Sequence, residues 1–99
     1  MATLTMKFGG TSVGSADAMQ QVAEIVRRAY DDGHRVLVVS SAMGGVTNML
    51  IEGARTAAAG DASRYQVLAA TLRTMHETPI RTLLQSEVER IALHDEIDA

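Results

Sequence analysis

Several residue types that define particular kinds of protein are scarce or missing in this sequence. It contains no cysteine, which excludes disulfide bonds and thiolate metal sites. Aromatic residues make up only 3% and tryptophan is absent, so alanine, valine, leucine, isoleucine and methionine must form the core. The three histidines, His34, His76 and His94, are far apart and lack the spacing of metal ligands. We therefore assign no residue to a metal.

Charge and hydropathy exclude two classes of partner. The net charge is -3 and no run of lysine or arginine is present, which argues against a nucleic-acid partner. No apolar stretch approaches the ~20 residues that cross a bilayer, and the N-terminus lacks the pattern of a signal peptide. We therefore expect a cytoplasmic protein without a membrane partner. Its 99 residues, 46% of them hydrophobic, suffice for one small domain.

The first part of the sequence has the pattern of a strand, a helix and a second strand. Leu4–Phe8 alternates in polarity and runs into Gly9-Gly10, which is typical of a strand that ends in a turn. Ser15 can cap a helix that ends at Gly33 and whose apolar residues recur at helical spacing: Met19, Val22, Val26 and Ala29. Val36–Val39 is a continuous β-branched run, which indicates a parallel strand covered on both faces. These elements predict a βαβ unit in an α/β fold.

The remainder of the sequence predicts several helices. One begins near Val46 or Thr47 and runs to about Ala59. A further helix should end before Pro79, which can open a short fourth helix, because the residue before a proline avoids the helical region. Ser86 begins a capping box for a fifth helix. Only two strands are found and such a sheet is rarely stable alone, so we expect the other strands to come from further sequence.

The segment from Lys7 to Gly14 is the first candidate for chemistry. It lies between a strand and a helix N-terminus, where glycine N–H groups and the helix dipole favour an anion. Lys7 adds a full positive charge, and Thr11 and Ser12 add hydroxyl donors. No Gly-Lys-Ser/Thr follows the glycines, so this is not a Walker A loop. A tight turn with a surface lysine is the alternative, and the residues alone do not decide between the two.

The segment from Ser41 to Asn48 is the second candidate. It also joins the carboxyl end of a strand to a helix, and ligands of open α/β sheets gather at that edge. Ser41 and Thr47 could instead only cap the helix. The functional interpretation depends on both loops lying at one edge of the sheet.

These two segments resemble a known family. Lys7-Phe8-Gly9-Gly10-Thr11-Ser12 closely resembles the N-terminal signature of aspartate kinases, within the amino acid kinase family. Val38 to Asn48 resembles that family's second block, and the segment from His76 to Ile80 resembles the helices that follow. The resemblance implies a truncated three-layer αβα fold. Residues 1–99 would then be an N-terminal fragment of an amino acid kinase domain, with its C-terminal part and the ACT domains absent.

The resemblance also implies an activity. Aspartate kinases transfer the γ-phosphate of ATP to L-aspartate and form 4-phospho-L-aspartate for lysine, threonine and methionine biosynthesis, with Mg²⁺ accompanying the nucleotide. It assigns the transferring phosphate to Lys7, Gly9, Gly10 and Ser12. It assigns the amino acid to Ser41 and Thr47. The charge of Lys7 is the catalytic contribution, because positioning and charge stabilisation dominate phosphoryl transfer.

Other interpretations stay open. The 99-residue chain alone is expected to be inactive, and a homo-oligomer is expected because exposed sheet edges and helix faces favour association. One alternative is a self-associating module that binds an anion without catalysis. Another is an amino acid kinase with a different substrate.

Overall fold

The computed structural model describes residues 2–98, which form two parallel strands and four helices. The elements in chain order are β1 (Thr3–Phe8), α1 (Ala16–Asp31), β2 (Arg35–Ser40), α2 (Val46–Ala58), α3 (Ala62–Leu83) and α4 (Glu87–Asp98). These residues divide into two compact units, one extending to Gly45 and the other beginning at Val46. The predicted α/β class is confirmed. Within residues 2–98, no helix has both the length and the apolar character needed to cross a bilayer.

The two strands of the first unit form a parallel pair. Thr3 lies opposite Arg35 and Phe8 lies opposite Ser40, so the strands are in step along their whole length. The alternating pattern of β1 and the β-branched run of β2 favour this extended pairing. Because the strands are parallel, both carboxyl ends meet at one edge of the sheet. Helix α1 connects the strands and contacts β2, which completes the predicted βαβ unit.

Both ends of α1 are fixed by the residues that the sequence pattern indicated. The Ser15 hydroxyl accepts a hydrogen bond from the backbone N–H of Ala18 at 3.1 Å, which caps the first turn. At the other end Gly33 has a φ of 89°, in the left-handed region. The N–H of His34 then donates to the carbonyl of Ala29 at 3.2 Å, the pattern of a Schellman motif. These caps end the helix before β2 begins.

The second strand is less covered than its sequence predicted. A continuous β-branched run indicated a strand buried on both faces. Among residues 2–98, however, β1 is the only strand that pairs with β2. The side chains of Leu37, Val38 and Val39 are 55%, 42% and 45% exposed. The apolar run is therefore present without the second covering layer.

Helices α2, α3 and α4 form the second unit, with α3 packed on both of the others. Its buried side chains include Leu68 and Ile80 of α3. Ion pairs connect the helices at their surface, with Arg64 to Glu52 at 2.7 Å and Arg73 to Asp98 at 3.0 Å. Because these pairs are about half exposed, apolar burial contributes more to the stability of this unit than they do.

The prediction that a helix ends before Pro79 and another begins there is wrong. A single helix, α3, runs from Ala62 to Leu83 with Pro79 inside it. Proline removes the N–H that would bond to the carbonyl of Met75, which normally costs a helix about 3 kcal/mol. Both Pro79 and Ile80 are buried, and that burial offsets the lost hydrogen bond. Residues 2–98 therefore contain four helices where five were expected.

The end of α3 is held by a side chain from α4. The Ser86 hydroxyl accepts from the N–H of Glu89 at 3.4 Å, which is one of the two hydrogen bonds of the predicted capping box. One turn later the Arg90 guanidinium donates to the carbonyls of Arg81, at 2.9 Å, and Leu84. The last carbonyls of a helix have no partner within the helix, and Arg90 supplies one.

Replacing Gly33 with alanine is expected to lower the free energy of unfolding by roughly 1–2 kcal/mol, because its φ of 89° is strained for an L-residue. A Cβ at Gly33 meets no atom within 4 Å, so the change reports backbone strain alone. Gly53→Ala in α2 is the matched control, since its Cβ would lie an ordinary 3.9 Å from Leu68. It should raise stability by roughly 0.5–1 kcal/mol. Urea unfolding of the complete gene product measures both variants, and changes of the same sign would contradict the expectation.

Candidate functional site

Two loops lie together at the carboxyl edge of the sheet. We call Gly9–Ser15, which follows β1, the first loop, and Ser41–Gly45, which follows β2, the second loop. The N–H of Ser41 donates to the carbonyl of Phe8 at 3.0 Å, which continues the strand pairing past the end of β2. The N–H of Gly44 donates to the carbonyl of Gly10 at 3.1 Å. The parallel pairing therefore places both loops at one edge, as the sequence predicted.

The first loop presents backbone donors ahead of a helix. It contains two tight turns. In the first, the N–H of Ser12 donates to the carbonyl of Gly9 at 3.1 Å, and in the second, the N–H of Gly14 donates to the carbonyl of Thr11 at 3.3 Å. Among residues 2–98, no backbone hydrogen bond uses the N–H groups of Gly9 and Gly10. Helix α1 begins directly afterwards and adds its partial positive charge. Unused N–H groups beside a helix start can bind an anion.

Side chains add charge and hydroxyls to this backbone arrangement. Lys7 is the only lysine in the sequence, and its side chain is exposed at the penultimate position of β1. No ion pair among residues 2–98 uses its ammonium group. Ser12 is also exposed. The Lys7 charge is thus available to a ligand and does not serve a structural ion pair.

Two serine hydroxyls lie where β2 meets the second loop. The Ser41 hydroxyl donates to the carbonyl of Ala42 at 3.2 Å, and the Ser40 hydroxyl donates to the carbonyl of Ser41 at 3.0 Å. The Ser41 side chain is exposed, so a ligand could replace its local bond. Gly45 ends the loop with a φ of 85°, in the left-handed region.

Thr47, the other residue assigned to the amino acid by resemblance, belongs to the second compact unit. It is exposed at the second position of α2, immediately after Val46. Its assignment to the same ligand as Ser41 stays a prediction. The structure brings together the five remaining candidates, all in the first unit: Lys7, Gly9, Gly10, Ser12 and Ser41.

Glycines allow the two loops to touch. A Cβ built on Gly10 would lie 3.3 Å from the carbonyl oxygen of Ala42. A Cβ built on Gly44 would lie 3.3 Å from the carbonyl oxygen of Gly10. One built on Gly14 would lie 3.1 Å from the same Gly10 oxygen. Sequence reasoning gave no separate role to Gly14 or Gly44, because the Gly14 contact depends on how the first loop turns and the Gly44 contact depends on the separation of two loops distant in sequence. Glycine after each of two parallel strands is the only signal that could have suggested them.

A small cavity lies beside the first loop. Its volume is about 210 Å³, and it is lined by residues of β1, the first loop and α1: Phe8, Thr11, Ser12, Ala18, Gln21, Val22 and Ile25. Pockets that hold a whole drug-sized ligand measure about 300–1,000 Å³. This cavity therefore offers room for a phosphate-sized group but not for a whole nucleotide.

The charge balance of the two loops suits an anion. Neither loop contains an acidic residue, and Lys7 lies just before the first loop. The first carboxylate after that loop belongs to Asp17, in the opening turn of α1. Magnesium prefers carboxylate and other oxygen ligands. The loops therefore fit a phosphate group and do not by themselves form a magnesium site.

These features define an α/β protein whose paired loops, with an adjacent lysine, suit a phosphate-bearing ligand. The model of the amino acid kinase family matches residues 3–94, which is nearly the whole sequence. The chain therefore belongs to the amino acid kinase family, as its resemblance implied.

Several relatives within this family carry a more specific name. Aspartate kinase Ask_LysC of Stutzerimonas stutzeri (strain A1501) is 52% identical over 52 residues, which are 52% of this chain and 13% of that protein. The aspartate kinase of Pseudomonas fluorescens (strain SBW25) is 51% identical over 61 residues, 62% of this chain and 14% of that protein. The aspartokinase of Thermus thermophilus is 45% identical over 51 residues, 52% of this chain and 13% of that protein. The matched segments thus span only 13–14% of these relatives.

Proposed function

We propose that residues 1–99 are the N-terminal part of the amino acid kinase domain of an aspartate kinase. The whole enzyme would transfer the γ-phosphate of ATP to the β-carboxylate of L-aspartate. The names of the relatives support this substrate pair. The hydrogen bond from Gly44 to Gly10 carries the proposal, because it holds two ligand loops at one sheet edge beside an exposed lysine.

In this proposal the first loop receives the transferring phosphate. The N–H groups of Gly9 and Gly10 donate to its oxygens, and the Ser12 hydroxyl lies close enough along the loop to add a donor. Lys7 neutralises the charge that spreads over the phosphoryl oxygens in the transition state. Fixed donors of this kind stabilise the transition state because they need no reorganisation during the reaction.

The second loop receives the amino acid. The Ser41 hydroxyl exchanges its bond to the carbonyl of Ala42 for one to the substrate, and Thr47 supplies a second hydroxyl. The contact between the two loops brings the β-carboxylate towards the phosphate. Such positioning contributes to the rate because it converts an encounter of two substrates into a reaction within one complex.

The reaction itself is an in-line displacement. A β-carboxylate oxygen of aspartate attacks the γ-phosphorus, the bond from that phosphorus to the bridging oxygen breaks, and ADP leaves with the electron pair. Mg²⁺ would be bound with the nucleotide and would neutralise charge on its phosphate oxygens, and no residue of the two loops is assigned to hold it. The product, 4-phospho-L-aspartate, places the enzyme in lysine, threonine and methionine biosynthesis. We also propose a cytoplasmic homo-oligomer, which the exposed apolar residues of β2 support.

Product formation by the complete gene product tests this proposal. The protein would be incubated with ATP, Mg²⁺ and either L-aspartate or L-glutamate. ADP release would be measured, and the acyl phosphate would be trapped with hydroxylamine. We expect ADP release and hydroxamate formation that require L-aspartate. We expect the 99-residue chain alone to give neither, because it matches only 13–14% of the length of the aspartate kinases.

Each other result identifies a competing interpretation. Turnover with L-glutamate in place of L-aspartate would make the protein a different amino acid kinase. Binding of phosphate without turnover on either acceptor would indicate a module that binds anions without catalysis. Turnover by the 99-residue chain alone would contradict its predicted inactivity.

A further inference from the structure

The contact between the two loops is a direct backbone hydrogen bond, and it joins the two halves of the proposed site. The N–H of Gly44 donates to the carbonyl of Gly10 at 3.1 Å. Gly10 is partly buried, whereas its neighbours Gly9 and Thr11 are exposed. Gly10 is therefore less accessible to solvent than the residues on either side of it.

A side chain at either glycine would crowd this contact, so the neighbouring backbone would have to move by a few tenths of an ångström. A Cβ on Gly44 would lie 3.3 Å from the Gly10 oxygen and 3.7 Å from its carbonyl carbon. One on Gly10 would lie 3.3 Å from the Ala42 oxygen and 3.4 Å from the Gly44 Cα. These neighbours are backbone atoms, which cannot rotate aside as a side chain could. By contrast, a Cβ on Gly9 or Gly45 would meet nothing within 4 Å.

The same bond sets the direction of a possible ligand donor. The Gly10 carbonyl and the Thr11 N–H belong to one planar peptide unit and point in opposite directions. When Gly44 holds the carbonyl, the Thr11 N–H is fixed in the opposite direction within the same plane. Gly14 packs against the same oxygen, since its Cβ would lie only 3.1 Å away. The orientation of this peptide is thus determined from both loops.

We propose that Gly44 is a positioning residue whose bond to Gly10 couples the two ligand sites, so that nucleotide and amino acid strengthen each other's binding. This inference rests on the proposed function, because it takes one ligand for each loop. A ligand that orders the first loop also orders the Gly10 carbonyl, and through Gly44 it orders the loop that carries Ser41. The protein then loses less conformational entropy when the second ligand binds, which is a source of positive coupling. Such coupling is reciprocal and typically amounts to 5–150-fold in affinity.

The coupling is measured as a ratio of affinities in the complete gene product. The dissociation constant of L-aspartate would be determined calorimetrically with and without a saturating non-hydrolysable ATP analogue and Mg²⁺. We expect the analogue to tighten aspartate binding by about fivefold or more in the unaltered protein. In Gly44→Ala we expect each ligand still to bind on its own. The dissociation constants of L-aspartate with and without the analogue should then be nearly equal.

Two further variants separate coupling from a general loss of structure. Gly14→Ala would crowd the Gly10 oxygen from within the first loop and leave the sequence of the second loop unaltered. It should therefore also lower the affinity ratio to about one. It serves as the test if Gly44→Ala does not fold. Gly53→Ala lies in α2, outside both loops, and should keep the full ratio.

The outcomes distinguish this inference from the function on which it rests. If the unaltered protein phosphorylates aspartate but shows a ratio of one, the coupling is absent and the proposed function stands. A folded Gly44→Ala or Gly14→Ala that keeps the full ratio would overturn the role of the Gly44–Gly10 bond. If the unaltered protein neither binds nor phosphorylates aspartate, the proposed function itself fails.

Discussion

Replacing Lys7 with alanine in the complete gene product is expected to lower kcat for aspartate phosphorylation by about 10²–10³-fold, the usual cost of losing one fixed group that stabilises a transition state. Lys7 is exposed at the end of β1, and no ion pair among residues 2–98 occupies its ammonium group. Its charge would act on the phosphoryl oxygens as negative charge shifts between them. Steady-state kinetics with both substrates varied measures the effect.

Arg35→Ala is the matched control for this prediction. Arg35 is also exposed and lies at the opposite end of the same sheet, where it pairs with Thr3. Its removal lowers the net charge by the same amount but should change kcat by no more than a few fold. Similar losses in the two variants would show that overall charge is responsible and that Lys7 has no specific role. Lys7→Arg should recover part of the activity, since it keeps the charge but not the shape of the ammonium group.

Replacing Ser41 with alanine should raise the KM for L-aspartate by roughly tenfold or more. A hydrogen bond to a charged group contributes about 1.5–3 kcal/mol, and the substrate carries charged groups. The Ser41 hydroxyl is exposed and at present makes only a local bond to the carbonyl of Ala42. The KM for ATP should change much less, since the nucleotide phosphates are assigned to the first loop. Kinetics at saturating concentrations of each substrate separates the two effects.

Ser40→Ala is the control for the Ser41 prediction. Ser40 ends β2, and its hydroxyl donates to the carbonyl of Ser41, so it offers the same chemical group one residue earlier. Successive side chains of an extended chain point to opposite faces, which turns the Ser40 hydroxyl away from the site of Ser41. Its loss should leave the KM for L-aspartate nearly unchanged. If the KM for ATP rises in Ser41→Ala as much as that for aspartate, the assignment of this loop to the amino acid is wrong.

Local sequence signals were sufficient for the first unit. Alternation in β1, the β-branched run of β2, the Ser15 cap and Gly33 each have a short-range physical cause. Each predicted element or cap is confirmed, but the predicted cover of β2 on both faces is not. The location of the loops at one edge follows from the parallel pairing, which the βαβ pattern predicted.

Where the sequence misled, a tertiary effect outweighed a local rule. Pro79 is a reliable helix breaker in isolation, yet α3 continues through it because Pro79 and Ile80 are buried in the second unit. The cost of one hydrogen bond can be read from the sequence, but the burial that offsets it cannot.

The closest contacts of the candidate site were also beyond sequence reasoning. Gly44 and Gly14 both approach the Gly10 carbonyl, and the first of these contacts joins loops that follow different strands. A glycine in a loop is consistent with a turn, a left-handed residue or a close approach, and only the distances distinguish these roles. The joint action of Ser41 and Thr47 on one substrate remains a prediction, since it rests on resemblance.

The passage of α3 through Pro79 has a consequence for how that helix opens. The helical hydrogen bond to the Met75 carbonyl is missing, so one fewer bond connects the short segment after Pro79 to the long segment before it. The Arg90 guanidinium, which binds the carbonyls of Arg81 and Leu84, ties that short segment to α4. Residues 80–84 should therefore exchange their amide hydrogens in concert with α4, as one cooperative opening unit, while the body of α3 stays closed.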